Sequence, residues 1–210
     1  MKRYLTEFIG TFFLVFTIGL TVLSGTPLAP LAIGAALMVM VYMGGHVSGA
    51  HYNPAVSLAV LVRGRLEPGA FVPYLLAQLA GAVAASWLVY LILGRTFAPA
   101  PAATASAMQA LLVEILYTFA LALVVLNAAT SKRTEGNSYY GLAIGFTLAV
   151  GAFAGGPVSG GAFNPAVGTG PILVSVLLGG GSLANLWLYL VGPFVGGLLA
   201  ALVFRVQEED

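Results

Sequence analysis

The tetrapeptide Asn53-Pro54-Ala55-Val56 recurs as Asn164-Pro165-Ala166-Val167, 111 residues further along the chain. At the same offset Ser48-Gly49 pairs with Ser159-Gly160, Ile33-Gly34 with Ile144-Gly145, and Gly81 with Gly192. Glu7 and Thr11 pair with Glu114 and Thr118 at a slightly shorter offset that loop length absorbs. Self-similarity at a fixed spacing marks a repeated structural unit. The 210 residues therefore read as one domain built twice, over about residues 1–95 and 108–206.

The solvent of this domain follows from its composition. Sixty per cent of its residues are apolar and only 7% are charged, whereas a soluble domain carries about a quarter charged residues. Six apolar stretches lie near or above the ~20 residues needed to cross a bilayer core of about 30 Å: residues 5–23, 30–45, 71–94, 108–130, 139–155 and 183–206. Two further apolar pieces, residues 54–62 and 165–178, are too short to cross. They read as segments that enter the membrane and stop. The expected fold is an all-α membrane protein of six transmembrane helices plus two re-entrant half-helices. Each copy of the repeat holds three spans, an odd number, so the copies insert with opposite orientation. An inverted repeat with a broken helix in each half points to a site at the midplane between them.

Charge sets the orientation. Lys2, Arg3, Arg63, Arg65, Lys132, Arg133 and Arg205 fall on one side and only Arg95 on the other, which predicts that both termini are cytoplasmic. Residues 96–107 are then an uncharged outer loop and residues 207–210 a short acidic inner tail. The cell (inner) membrane is the expected location. Met1-Lys2-Arg3 resembles the start of a signal peptide, but Glu7 interrupts the apolar run and no small-x-small cleavage site follows it, so an uncleaved first span is expected. A chain without cysteine has no disulfide and no thiolate metal ligand. Its net charge of +1 gives no basis for binding nucleic acid. Neither a metal nor a cofactor is expected.

Each Asn-Pro-Ala box has a physical reading. Proline suits the first helical position, where its missing N–H has no partner to lose, and Asn53 and Asn164 are suited to cap the helix starts. Half-helices entering from opposite faces bring Asn53-Pro54-Ala55 and Asn164-Pro165-Ala166 together as a pore constriction. Each helix start carries about half a positive unit charge, which disfavours a cation or hydronium ion but offers donors to a neutral hydroxyl-bearing molecule. Extended backbone in a membrane is tolerated where it lines a cavity. The carbonyls of Gly49, Ala50, His51 and Tyr52, and of Gly160, Gly161, Ala162 and Phe163, are therefore expected to form an acceptor ladder beside the boxes. Glu7 and Glu114 are expected to accept hydrogen bonds from those loops. His51 is expected to line the inner half of the passage, and His46 to pack at the start of its loop. The small residues Gly10, Gly19, Gly81, Gly145, Gly192, Gly196 and Gly197 suit close helix crossings.

These motifs resemble the major intrinsic protein family, the aquaporins. The resemblance runs from Glu7-Phe8-Ile9-Gly10-Thr11-Phe12, through the stretch from Gly45 to Val56, to Gly192-Pro193-Phe194, and includes both boxes and both glutamates. It implies a homotetramer with one pore per subunit, passing water and small neutral solutes through the bilayer. It also implies an outer filter at Ile33, Ala152, Gly161 and Val167. Many water-selective members have an aromatic, a histidine and an arginine at the first, second and fourth of these positions, and this chain has none of them. Val167 looks similar to the plant tonoplast type, although that type usually has a histidine where Ile33 stands. Without the arginine's charge and donors, a wider filter is expected, admitting urea, ammonia, hydrogen peroxide or glycerol. Val167-Gly168-Thr169 lacks the acidic residue and later insertion typical of glycerol channels, so a permissive pore is expected rather than a dedicated glycerol channel. The sequence offers no Ser/His/Asp set, paired aspartates or metal cluster, so an enzyme is not expected. A secondary transporter with broken helices remains the alternative. It would need coupling groups at the midplane, for which only the two glutamates are candidates.

Overall fold

The computed structural model describes residues 1–208. Among them, secondary structure is helical throughout: α1 (Lys2–Ser24), α2 (Ala29–Ser48), α3 (Pro54–Val62), α4 (Pro68–Leu93), α5 (Ala107–Thr130), α6 (Tyr140–Ala154), α7 (Gly156–Ser159), α8 (Pro165–Leu178) and α9 (Leu186–Glu208), with a 3-10 turn at Lys132–Thr134. Of the acidic tail, Gln207 and Glu208 finish α9, and residues 209–210 lie outside the described residues.

Local chemistry explains the boundaries. Proline stands in the first turn of α2, α3, α4 and α8. Ser106 and Gln109 form a reciprocal capping box on α5. Gly25, Gly49 and Gly94 close α1, α2 and α4 in the left-handed conformation.

Five helices of 20 to 26 residues are long and apolar enough to span a membrane. The fifth expected span, residues 139–155, differs. Its helix α6 has only 15 residues, and the short α7 continues it past a break at Gly155. Pro157 causes the break, because it has no N–H to carry the hydrogen-bond ladder onto the Phe153 carbonyl. Together α6 and α7 cover residues 140–159, which match α2 at the repeat offset of 111.

The exterior is apolar, as a lipid-facing surface requires: Leu76, Leu91, Leu116 and Leu177 are each more than 60% exposed, except Leu116 at 60%. Inside, α2 and α6 cross with their backbones nearly touching. A Cβ added at Gly34 would lie 2.5 Å from the Gly145 carbonyl, and one at Gly145 would lie 2.5 Å from the Gly34 carbonyl. Gly81 and Gly196 seat α4 on α1 and α9 on α5 in the same way. Gly10 does something else. With Gly44 it makes room for the ring of Tyr52, which is fully buried and donates from its hydroxyl to the Met40 carbonyl at 2.9 Å. Gly19 likewise receives the ring of Phe97.

Ion pairs Arg3–Glu67 and Arg63–Glu208 gather at the end of the bundle that holds both Met1 and Glu208. Arg205 also lies there, on the Val62 carbonyl. Arg95 sits at the opposite end, on the Leu23 carbonyl.

Candidate functional site

The half-helices α3 and α8 begin at the centre of the bundle, and each is capped by its own asparagine. Asn53 Oδ1 accepts from Ala55 N at 2.9 Å and Val56 N at 3.5 Å. Asn164 Oδ1 accepts from Ala166 N at 2.9 Å and Val167 N at 3.4 Å. The amide nitrogens reach across the pseudo-symmetry. Asn53 Nδ2 donates to the Phe163 carbonyl and Asn164 Nδ2 to the Tyr52 carbonyl, both at 2.9 Å. Each asparagine is therefore held by both halves. One hydrogen on each Nδ2 remains for whatever occupies the space between them.

The loops ahead of the caps are held by the two buried carboxyls. Glu7 accepts from Ser48 Oγ (2.7 Å) and His51 N (3.0 Å) through Oε1, and from Tyr52 N (2.7 Å) and Gln78 Nε2 (2.8 Å) through Oε2. Glu114 accepts from Ser159 Oγ (2.8 Å), Ala162 N (3.0 Å) and Phe163 N (2.7 Å). Both glutamates are 0% exposed. Tyrosines close the far side: Tyr74 donates to the Ser48 carbonyl at 2.7 Å and Tyr189 to the Ser159 carbonyl at 2.6 Å. The loops need left-handed backbone at Gly49, Ala50 and Tyr52, and again at Gly160, Gly161 and Phe163.

Two cavities meet at this centre. One, of about 280 Å³, runs from the Arg95 end to the asparagines and is lined by Ile33, Ala152, Gly161 and Val167, by Asn53 and Asn164, and by Ala50, Gly160 and Ala162. The other, of about 890 Å³, opens at the end with the termini, where Gly49 and the polar side chains of Arg3, Arg65 and Lys132 line it. His51, Val125 and Ile144 line both cavities and form the neck between them. Pro54, Ala55, Pro165 and Ala166 do not face either cavity. They are buried behind the asparagines as the first turns of α3 and α8, because a helix start directs its cap, rather than its first residues, at the axis. The expected carbonyl ladder is also shorter, since the Tyr52 and Phe163 carbonyls accept from the asparagines. The carbonyls of residues 49–51 and 160–162 accept no hydrogen bond from the described residues.

His46 stands in the last turn of α2 and is exposed rather than packed at the start of the loop. Sequence reasoning missed Gln78 and Ser57, both 0% exposed, whose side chains join Glu7 to His51. A signal for Gln78 was present, because a polar residue inside an apolar span marks a site by default.

A family model described as "Major intrinsic protein" matches residues 1–204. The chain is 39% identical to "Glycerol uptake facilitator protein-like 6" of Lactiplantibacillus plantarum, with both chains covered in full. It is 38% identical to "Aquaporin NIP1-1" of Zea mays, over 98% of this chain and 74% of that one. It is 33% identical to "Aquaporin Z" of Bradyrhizobium diazoefficiens, over 100% and 95%. The fold matches the X-ray structure of the aquaglyceroporin from Plasmodium falciparum with a TM-score of 0.83, at 23% identity over 97% and 94% of the two chains. The crossed asparagine caps, the two buried glutamates and these matches agree: the chain belongs to the major intrinsic protein family.

Proposed function

We propose that the protein is a passive channel for water and small neutral solutes, with urea, ammonia, hydrogen peroxide and glycerol as candidates, and that it excludes ions and protons. Relatives named as aquaporins and as a glycerol uptake facilitator support the channel class. The observation that carries the solute range is the chemistry of the cavity at the Arg95 end. Ile33, Ala152, Gly161 and Val167 line it without a charge or a side-chain donor, so a solute meets an apolar filter before it reaches Asn53 and Asn164. Small side chains leave width there, and no fixed arginine must be displaced. Two helix starts facing the centre raise the energy of a cation, which supports ion exclusion without the arginine.

In this reading Asn53 and Asn164 form the constriction, the carbonyls of residues 49–51 and 160–162 supply acceptors, and Glu7 and Glu114 hold the loops. The termini are cytoplasmic in the cell membrane, and the assembly is a homotetramer with one pore per subunit. Stopped-flow light scattering of proteoliposomes in sucrose, urea and glycerol gradients tests the reading. Water and urea permeabilities well above those of empty liposomes are expected, without saturation. Solute permeability at the empty-liposome level would overturn the solute range, and saturable ion-dependent uptake would mark a coupled transporter instead.

A further inference from the structure

The two halves of the passage are not chemically equivalent. In the first half a buried chain of polar groups connects Glu7 to the neck. Gln78 Nε2 lies 2.8 Å from Glu7 Oε2 and 2.9 Å from Ser57 Oγ, and Ser57 Oγ lies 3.1 Å from His51 Nδ1. In the second half the residues at the repeat offset are Ala162 for His51, Gly168 for Ser57 and Tyr189 for Gln78. A Cβ at Gly168 would lie only 2.3 Å from that of Tyr189, so there the tyrosine occupies the space of the polar chain.

With Glu7 as the carboxylate that its four donors favour, the hydrogens along the chain favour one arrangement, in which only Gln78 Oε1 is left without a partner among the described residues. Glu7 Oε2 already accepts from Tyr52 N. Gln78 must therefore face it with nitrogen, because Oε1 at that distance would set lone pair against lone pair. Both Nε2 hydrogens are then used, one on Glu7 and one on Ser57. Ser57 is 0% exposed and accepts from Gln78. Its single hydrogen has one bonded acceptor among the described residues, Nδ1 of His51. A buried hydroxyl left without an acceptor costs about 1–3 kcal/mol, which favours that bond.

We infer that Gln78 and Ser57 are positioning residues that hold His51 as the neutral tautomer with its hydrogen on Nε2, making the ring a fixed donor at the neck of the passage. The groups facing His51 are Glu7 of α1, Ser57 of α3 and the Tyr74 ring of α4, whose centroid is 5.1 Å from the imidazole. Val125 of α5 and Ile144 of α6 complete the neck. This inference rests on the channel reading for its consequence. A solute leaves an apolar filter, passes the asparagines, and must then offer an acceptor such as a hydroxyl, carbonyl or water oxygen to the His51 N–H. Selection at the neck comes from one half of the repeat only.

The test is solid-state nitrogen-15 NMR of ring-labelled histidine in the full chain, reconstituted in liposomes at neutral pH. The chain has two histidines, and His46→Gln assigns the spectrum. The expected result is an unprotonated-type shift for His51 Nδ1 and a protonated-type shift for Nε2. The reverse pattern, or an imidazolium, overturns the inference. In Ser57→Ala the single pattern is expected to give way to a mixture of tautomers, and an unchanged pattern overturns the positioning role. Water permeability of the same liposomes separates the two readings. A conducting sample with the reverse pattern sinks only the tautomer assignment, and a non-conducting one with the expected pattern sinks only the channel.

Discussion

A carboxyl group inside a hydrocarbon slab is costly unless donors surround it, and Glu7 and Glu114 meet that condition unequally. Glu7 has four donors and Glu114 three. A glutamine has one acceptor oxygen and brings two donors of its own. Glu114→Gln therefore leaves a loop N–H unpaired at a cost of about 1–3 kcal/mol, and Glu7→Gln loses more. We expect both variants to melt at lower temperature in detergent, Glu7→Gln lower than Glu114→Gln, as read by fluorescence-detected size exclusion after heating. Thr11 and Thr118 are the opposite case. Both are 0% exposed, and neither hydroxyl has a hydrogen-bond partner among the described residues. Removing an unsatisfied buried hydroxyl while keeping the shape is neutral or stabilising, so Thr11→Val and Thr118→Val should melt at or above the parent temperature. A clear drop in that assay would show that the hydroxyls have partners after all.

The connection between the two halves behaves as an element in its own right, although it holds no regular structure between Gly94 and Ala107. Its Phe97 is 8% exposed and fits against Gly19 of the first half. In the second half Thr96 Oγ1 lies 3.3 Å from Ser175 Oγ, and Ala102 N donates to the Val158 carbonyl at 3.0 Å. The backbone of Ala100 passes so close to Gly160 that an added Cβ would lie 2.6 Å from its nitrogen and 2.7 Å from its oxygen. Gly160 also has φ +89°, a conformation that costs a residue with a side chain about 1–2 kcal/mol. Gly160→Ala must therefore lift the connection away from the cavity wall. The expected signs are faster cleavage between residues 96 and 106 by a nonspecific protease and a higher ratio of urea to water permeability. Cleavage at the parent rate would mean that the segment is not held at this point.

On the scale of the whole molecule, charge and filter each give a prediction. Arg3, Arg63 and Arg205 collect at one end and Arg95 lies at the other, a bias that favours the proposed orientation, and the absence of cysteine gives a clean background for labelling. Thr104 and Ser138 are both exposed, in connections at opposite ends of the bundle. Thr104→Cys should react with an impermeant maleimide in intact cells, and Ser138→Cys only after lysis; the reverse would invert the proposed topology. Val167 lines the cavity beside carbonyls of residues 160–162 that accept nothing else among the described residues. Val167→Arg gives the guanidinium acceptors within that wall and fills the passage. Urea and glycerol permeabilities should fall to near the empty-liposome level, with water permeability reduced less.

Sequence alone determined that the chain spans a membrane, that it repeats, and that two capped half-helices interrupt it. These follow from short-range physics: apolar run length against bilayer thickness, proline at a helix start, and asparagine's fit to the cap. Tertiary structure decided what each polar group bonds to. The crossed Nδ2 bonds, the shift of Tyr189 into the place of Gln78 and Ser57, and the use of Gly10 for Tyr52 rather than a helix crossing all join residues far apart in the chain. No local pattern encodes such contacts, because they depend on which side chains the packed helices bring within hydrogen-bond reach.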